Sequence, residues 1–251
     1  MNGIEGKVAI VTGASSGIGR AAAMRFAEEG ANVVVGDVLE DGGQETVDMI
    51  TDAGGEATFV RVEVTNDADV KALVETTLDV YGGLDFAHNN AGIEGEMSQL
   101  ADTPDDDWAR VIDVNLTGVW RCMKHEIPVM IERGGGAIVN TSSVAGLMAA
   151  GGGPYVASKH GIIGLTRVAA VEYAKQGIRV NAVCPGVVDT PMVSRAAEDA
   201  PELIDQFVAM QPLGRMAEPS EIASAVVFLC SDDASFITAH PLPVDGGLLA
   251  I

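Results

Sequence analysis

Tyr155 and Lys159 stand one helical turn apart in Tyr155-Val156-Ala157-Ser158-Lys159. On a helix that spacing puts the phenol and the ammonium on one face, within mutual reach. Pro154, directly before them, is a residue that helices favour at their first position. A phenol titrating near 10 is a poor base at neutral pH, but a fixed neighbouring cation stabilises the phenolate and lowers that value. The pair therefore reads as a proton shuttle, with Tyr155 as the acid/base. Such pairs also arise by chance on solvated helix faces, so this one draws its meaning from its surroundings.

Upstream, Asn140-Thr141-Ser142-Ser143 closes a short apolar run, which carries hydroxyls to the carboxyl edge of a sheet. Ligands bind at that edge in open α/β folds. Either serine can hydrogen-bond a substrate oxygen, although serines after a strand also commonly form turns.

A second constellation lies at the start of the chain. The apolar run Val8 to Thr12 leads into Gly13-Ala14-Ser15-Ser16-Gly17-Ile18-Gly19, and Ile18 to Glu29 then reads as a helix stopped by Gly30. Three glycines let the backbone turn sharply and come close to a pyrophosphate, and the helix start offers free N–H groups and partial positive charge. Asp37 ends the second strand about 20 residues on, where a carboxylate can accept both ribose hydroxyls of NAD and would repel a 2′-phosphate. Val38, Leu39 and Glu40 follow it, so the cation that NADP requires is missing. NAD is the expected cofactor.

The elements holding these groups alternate. Strands are expected at Val8–Thr12, Asn32–Gly36, Ala57–Arg61, Leu84–His88, Ala137–Thr141, Arg179–Cys184 and Leu242–Val244, with helix-like stretches between them. That order predicts an α/β protein with a mostly parallel, seven-stranded sheet covered on both faces. No Pro- or Ser-rich linker divides the 251 residues, which predicts a single domain. The less regular stretch 187–211, with Pro191, Met192, Val193, Phe207 and Met210, is expected to be a flap over the site, with an acidic surface helix as the alternative. With Leu147 and Met148 it offers an apolar wall, favouring an uncharged substrate.

Acidic residues number 36 against 15 Lys and Arg, a formal charge of -21 that repels nucleic acid. The same excess suits a protein kept hydrated in concentrated salt, so a halophilic source is an expectation. No stretch approaches the roughly 20 apolar residues of a membrane span, and the start lacks a signal-peptide pattern. A cytoplasmic protein is expected. Cys122, Cys184 and Cys230 form no metal-binding pattern and read as buried, reduced thiols. His88, His125, His160 and His240 are too scattered for a metal, and only His160 adjoins the chemistry.

Taken in order, the turn Thr12 to Gly19, Asn89-Asn90-Ala91-Gly92, Asn115, Ser143, Tyr155/Lys159, Pro185-Gly186 and Val244-Asp245-Gly246-Gly247 resemble the short-chain dehydrogenase/reductase family from end to end. The resemblance implies a doubly wound Rossmann fold, a nicotinamide cofactor across the carboxyl edge, hydride transfer to or from a small secondary alcohol or ketone, and a homotetramer. It makes Tyr155 the acid/base, Lys159 the ligand of the nicotinamide ribose, Ser143 the holder of the substrate oxygen and Asn115 the holder of a relay water. It also implies that Asn90, Ala91 and Gly92 line the adenosine side, and that Thr190 meets the carboxamide. Glu63, Val64, Pro185, Gly186 and Val188 join the cofactor-binding positions.

Two positions depart from the family. Glu63 stands where relatives usually carry Asp, which bears on cofactor affinity. The gap from Ser143 to Tyr155 is one residue short and contains Gly151-Gly152-Gly153, which leaves Ser142 as a second candidate for the catalytic serine. A dinucleotide-binding sensor or regulator without turnover is the alternative function.

Overall fold

The computed structural model describes residues 1–199 and 201–250. Seven strands form one sheet: β1 (Val8–Thr12), β2 (Asn32–Asp37), β3 (Glu56–Arg61), β4 (Phe86–Asn89), β5 (Gly136–Thr141), β6 (Ile178–Pro185) and β7 (Pro241–Val244). Their order is β3-β2-β1-β4-β5-β6-β7, and every paired neighbour is parallel. The expected mostly parallel sheet is thus wholly parallel among the described residues. The seven expected strands are all present, with ends shifted by at most two residues.

Parallel neighbours need crossovers, and nine α-helices are described: α1 (Gly17–Glu28), α2 (Glu40–Asp52), α3 (Asp67–Tyr81), α4 (Asp105–Ile112), α5 (Gly118–Arg133), α6 (Gly153–Tyr173), α7 (Pro191–Asp199), α8 (Pro201–Met210) and α9 (Pro219–Cys230). Strand residues alternate between two cores. Ala9 and Val11 pack with Phe26 of α1, Ile50 of α2 and Val226 of α9, while Ile10 packs with Leu73 of α3, Met123 of α5 and Ile162 of α6. This double burial explains why the strands read as unbroken apolar runs rather than alternating ones.

The order in which strands are added to the sheet reverses between β1 and β4, parallel neighbours whose following loops diverge and leave a crevice at the carboxyl edge. Stretch 187–211 is more regular than expected, since Pro191 and Pro201 each begin a helix. Among the described residues no helix is long and apolar enough to cross a membrane.

Candidate active site

A cleft of about 420 Å³ runs along that crevice. Its wall contains Gly13, Ser15, Ser16, Gly17, Ile18, Asp37, Glu63, Val64, Asn90, Ala91, Gly92, Ser143, Tyr155, Lys159, Pro185, Gly186, Val188 and Thr190, all expected from the sequence. Gly19 and Asn115, also expected there, are not part of it.

The glycine turn explains one of these absences. Gly13 has a φ of 66°, the left-handed region that glycine tolerates. Gly19 is needed for a different reason: a Cβ there would lie 2.0 Å from the Gly13 carbonyl oxygen. It lets α1 pack on the turn and is not a contact surface. The first turn of α1 carries no acidic residue, and Ser16 at its cap makes no side-chain cap bond. Its free N–H groups therefore face a glycine-lined cradle suited to a phosphate.

Asp37 shapes the other side of this end. Its Oδ2 accepts the Ser15 N–H at 2.9 Å and its Oδ1 accepts the Leu39 N–H at 3.0 Å. A carboxylate has further lone pairs, so the bonds that fix Asp37 leave acceptors for hydroxyls in the cleft. Arg20, the first cation after the glycine turn, stays out of the cleft wall: its Nε donates to Thr46 Oγ1 at 3.0 Å, and its guanidinium also meets the Ser15 carbonyl and Glu45. The donor set, the cradle and the carboxylate together fit a nicotinamide dinucleotide.

The other end of the cleft holds the phenol and ammonium. Lys159 Nζ donates to the Thr141 carbonyl at 2.9 Å and lies 5.4 Å from the Tyr155 ring centroid. Burial brings the Lys159 ammonium down to about 8, with Cys184 pulling the other way. The expected depression of the Tyr155 phenol by Lys159 does not hold among the protein's own groups. Burial pushes the phenol above its ordinary value, a hydrogen bond with Ser143 pulls it down, and the charge of Glu94 pushes it up again. Proximity in sequence signalled the pair but not the desolvation.

The two serines separate cleanly. Ser142 Oγ donates to the Lys159 carbonyl at 2.8 Å and is buried, so its single hydrogen is already placed. Ser143 Oγ accepts the Ala145 N–H at 3.1 Å and keeps its hydrogen for the phenol side. Of the two, Ser143 is the one whose hydroxyl hydrogen is not committed to a backbone carbonyl.

Asn115 sits in a π-helical turn, Asp113–Thr117, between α4 and α5. Its Oδ1 accepts the Ile93 N–H at 2.8 Å, and its Nδ2 donates to the Ile93 carbonyl at 2.8 Å and to Ser158 Oγ at 3.3 Å. It clamps the loop after β4, and both amide hydrogens are engaged in doing so. His160 is exposed and bonded to the Val156 carbonyl, away from the cleft.

Of the apolar residues expected at the substrate end, Pro191, Met192 and Val193 line the cleft, whereas Leu147, Met148, Phe207 and Met210 do not. Sequence reasoning gave no role to Thr141 and missed Val62, Ile93, Val114 and Arg195 in the wall. Thr141 contributes through its carbonyl, which side-chain chemistry does not advertise. Arg195 pairs with Glu94, Nε to Oε1 at 3.0 Å, and so joins α7 to the loop after β4. Among the described residues no group of His, Cys, Asp or Glu side chains is arranged to hold a metal ion.

Comparison with known proteins agrees with this geometry. Residues 13–249 match a family profile described as enoyl-(acyl carrier protein) reductase. The chain is 44% identical over 246 residues to cyclohexanol dehydrogenase of Acinetobacter sp. (strain SE19), covering 98% of this chain and 96% of that one. It is 46% identical over 246 residues to cis-4-hydroxycyclohexanecarboxylate dehydrogenase of Sinomonas cyclohexanicum, covering 98% and 97%. The structure of levodione reductase superposes with a TM-score of 0.95 at 37% identity, covering 98% of each chain. A wholly parallel doubly wound sheet, a glycine turn facing a phenol and ammonium across one cleft, and full-length likeness to these dehydrogenases place the chain in the short-chain dehydrogenase/reductase family, as a hydride-transferring oxidoreductase that uses a nicotinamide dinucleotide.

Proposed function

We propose that the protein interconverts a small, uncharged cyclic secondary alcohol and its ketone, with NAD preferred over NADP and Tyr155 exchanging the proton with the substrate oxygen. The observation that carries this reading is one continuous cleft, with Tyr155, Lys159 and Ser143 at one end and Asp37 at the other. When bound, the dinucleotide supplies the hydride acceptor or donor.

The chain's own residues do the rest. Gly13, Ser15, Ser16, Gly17 and Ile18 seat the pyrophosphate at the start of α1, and Asp37 accepts the ribose hydroxyls. Glu63, Val64, Asn90, Ala91 and Gly92 line the adenosine side, and Pro185, Gly186, Val188 and Thr190 line the nicotinamide side. Ser143 donates to the substrate oxygen and orients it toward the phenol, lowering the barrier by positioning and by prepolarising that oxygen. No cation flanks Asp37 in the cleft wall, where Val38, Leu39 and Glu63 stand instead, and this supports NAD. Met192, Val193 and Ile93 support an apolar substrate, and Glu94 already neutralises Arg195, the guanidinium nearest them.

Stretch 187–211 acts as the flap. Its far end is tied by Gln211, whose Oε1 accepts the Val187 N–H at 2.7 Å. Unpaired, buried Cys122, Cys184 and Cys230 support a cytoplasmic location, and the exposed apolar side chains Trp108, Trp120, Val168 and Val171 support assembly into a homotetramer. Initial rates with cyclohexanol, a neutral sugar and 4-hydroxycyclohexanecarboxylate, each with NAD and with NADP, test the assignment. The highest kcat/KM is expected for cyclohexanol with NAD. A preference for the carboxylate would overturn the substrate class, and a preference for NADP would overturn the cofactor.

A further inference from the structure

His88, near the end of β4, is wholly buried and has no part in the chemistry above. Its Nε2 lies 2.8 Å from Thr141 Oγ1, and counting hydrogens gives that bond a direction. Asn90 Nδ2 is 3.2 Å from the carbonyl oxygens of both Thr12 and Gly13, which only accept. The amide of Asn90 is thereby oriented with Oδ1 toward Thr141, and Thr141 directs its one hydroxyl hydrogen there at 3.2 Å. Thr141 Oγ1 is then an acceptor toward His88, so the imidazole carries its hydrogen on Nε2. Nδ1 keeps a lone pair and meets no partner. A second proton would bury a charge and an unpartnered N–H, and burial accordingly holds the imidazolium down to about 3. His88 is a permanent neutral donor.

The bonds run from His88 to Thr141, on to Asn90, and from Asn90 to the first two residues of the glycine-rich turn. Asn90 and Ala91 also donate their backbone N–H groups to Thr12 Oγ1, at 3.0 and 3.2 Å. There is little slack, because a Cβ on Gly13 would lie 2.8 Å from Ala91 Cα. Thr141 offers its carbonyl to Lys159 as well, so one residue braces both ends of the cleft.

We propose that His88 is a positioning residue: by donating to Thr141 it fixes the hydroxyl that holds Asn90 Oδ1, and so braces the amide whose Nδ2 keeps the glycine turn in the shape that receives the dinucleotide. This rests on the reading of that turn as the dinucleotide seat. A leucine at position 88 would remove the donor that seats Thr141 Oγ1 and loosen the hydroxyl whose hydrogen Asn90 Oδ1 accepts. A glutamine carries an amide N–H to about the same place as Nε2.

Calorimetric titration with NAD, run beside steady-state rates, tests the inference. For H88L, Kd for NAD should rise about five- to tenfold, the scale of one buried hydrogen bond, while kcat at saturating NAD stays within about twofold. H88Q should recover most of the affinity. T141V, which removes only the hydroxyl, should weaken NAD as H88L does, and it serves if H88L does not fold. In the wild type, nitrogen NMR of labelled imidazole should show His88 neutral, with its proton on Nε2, from about pH 5 to pH 8. Folded H88L with wild-type affinity, H88Q no better than H88L, or a His88 that titrates in that range or carries its proton on Nδ1 would each overturn the proposal. A wild type with no affinity for either dinucleotide would instead bring down the reading of the turn itself.

Discussion

At Lys159 burial and charge oppose each other: the ammonium is enclosed enough to be weakened to about 8, yet it stays largely protonated at neutral pH against the Thr141 carbonyl. The sequence showed which phenol and which ammonium meet, because an i, i+4 spacing is a local fact. It did not show the direction of the phenol's shift, the choice between Ser142 and Ser143, or the use of Asn115 as a clamp, because these depend on burial and on partners far along the chain. Glu126 is a further example. It is buried beside Asn89, whose Nδ2 donates to it at 3.1 Å, and burial still raises its carboxyl from 4.5 to about 7. Between those values the folded chain holds a proton that the unfolded chain has released, so stability is lost as pH rises through that window. Urea unfolding should find the wild type more stable near pH 5 than near pH 8 by a contribution on the order of 2–3 kcal/mol from this group. E126Q should lose that contribution to the slope, and an unchanged slope in E126Q would assign the effect elsewhere.

The elements were legible wherever a run of β-branched residues met a glycine stop, since double burial writes itself into composition. The helices α7 and α8 were not, although Pro191 and Pro201 stood where helices like to begin; the mixture of Asp, Pro, Met and Ala carried no clear period. Likewise the π-helical turn at Asp113–Thr117 has no sequence signature, yet it aims Asn115 at Ile93. Arg195 and Glu94 then fasten α7 to the loop that Asn115 clamps. Both side chains are partly exposed, so the pair adds less than about 1 kcal/mol to global stability, and its effect should be local. In E94Q, amide exchange in α7 should quicken and KM for the alcohol should rise severalfold, with the urea midpoint unchanged. Exchange in α7 at the wild-type rate would mean that the pair does not hold the flap.

Across the whole molecule, strand order places both sets of functional groups at one sheet edge, the turn after β1 and the loop after β4 diverging while β5 delivers Thr141 and Ser143 beside them. Alternating β and α segments in the sequence already imply that edge; the exposed apolar residues of α5 and α6, which we propose meet other copies, do not announce themselves. Trp120 is 46% exposed and Val171 is 77% exposed, a large cost in apolar surface for a protein with a charge of -21. Sedimentation should show a tetramer, which the double variant W120E/V171E should break into smaller species. Self-repulsion among its acidic groups should make the tetramer tighter as KCl rises, because salt screens exposed charge. A monomer at every salt concentration would contradict this.

The central claim is that the Tyr155 phenol moves the proton in a cleft whose far end separately binds the dinucleotide. Its most direct test is Y155F, with NAD affinity by calorimetry and reduced-nicotinamide formation from cyclohexanol followed on the same sample. Turnover should fall by a factor of about 10³ or more while Kd for NAD stays within about twofold. Turnover in Y155F close to that of the wild type would contradict the account.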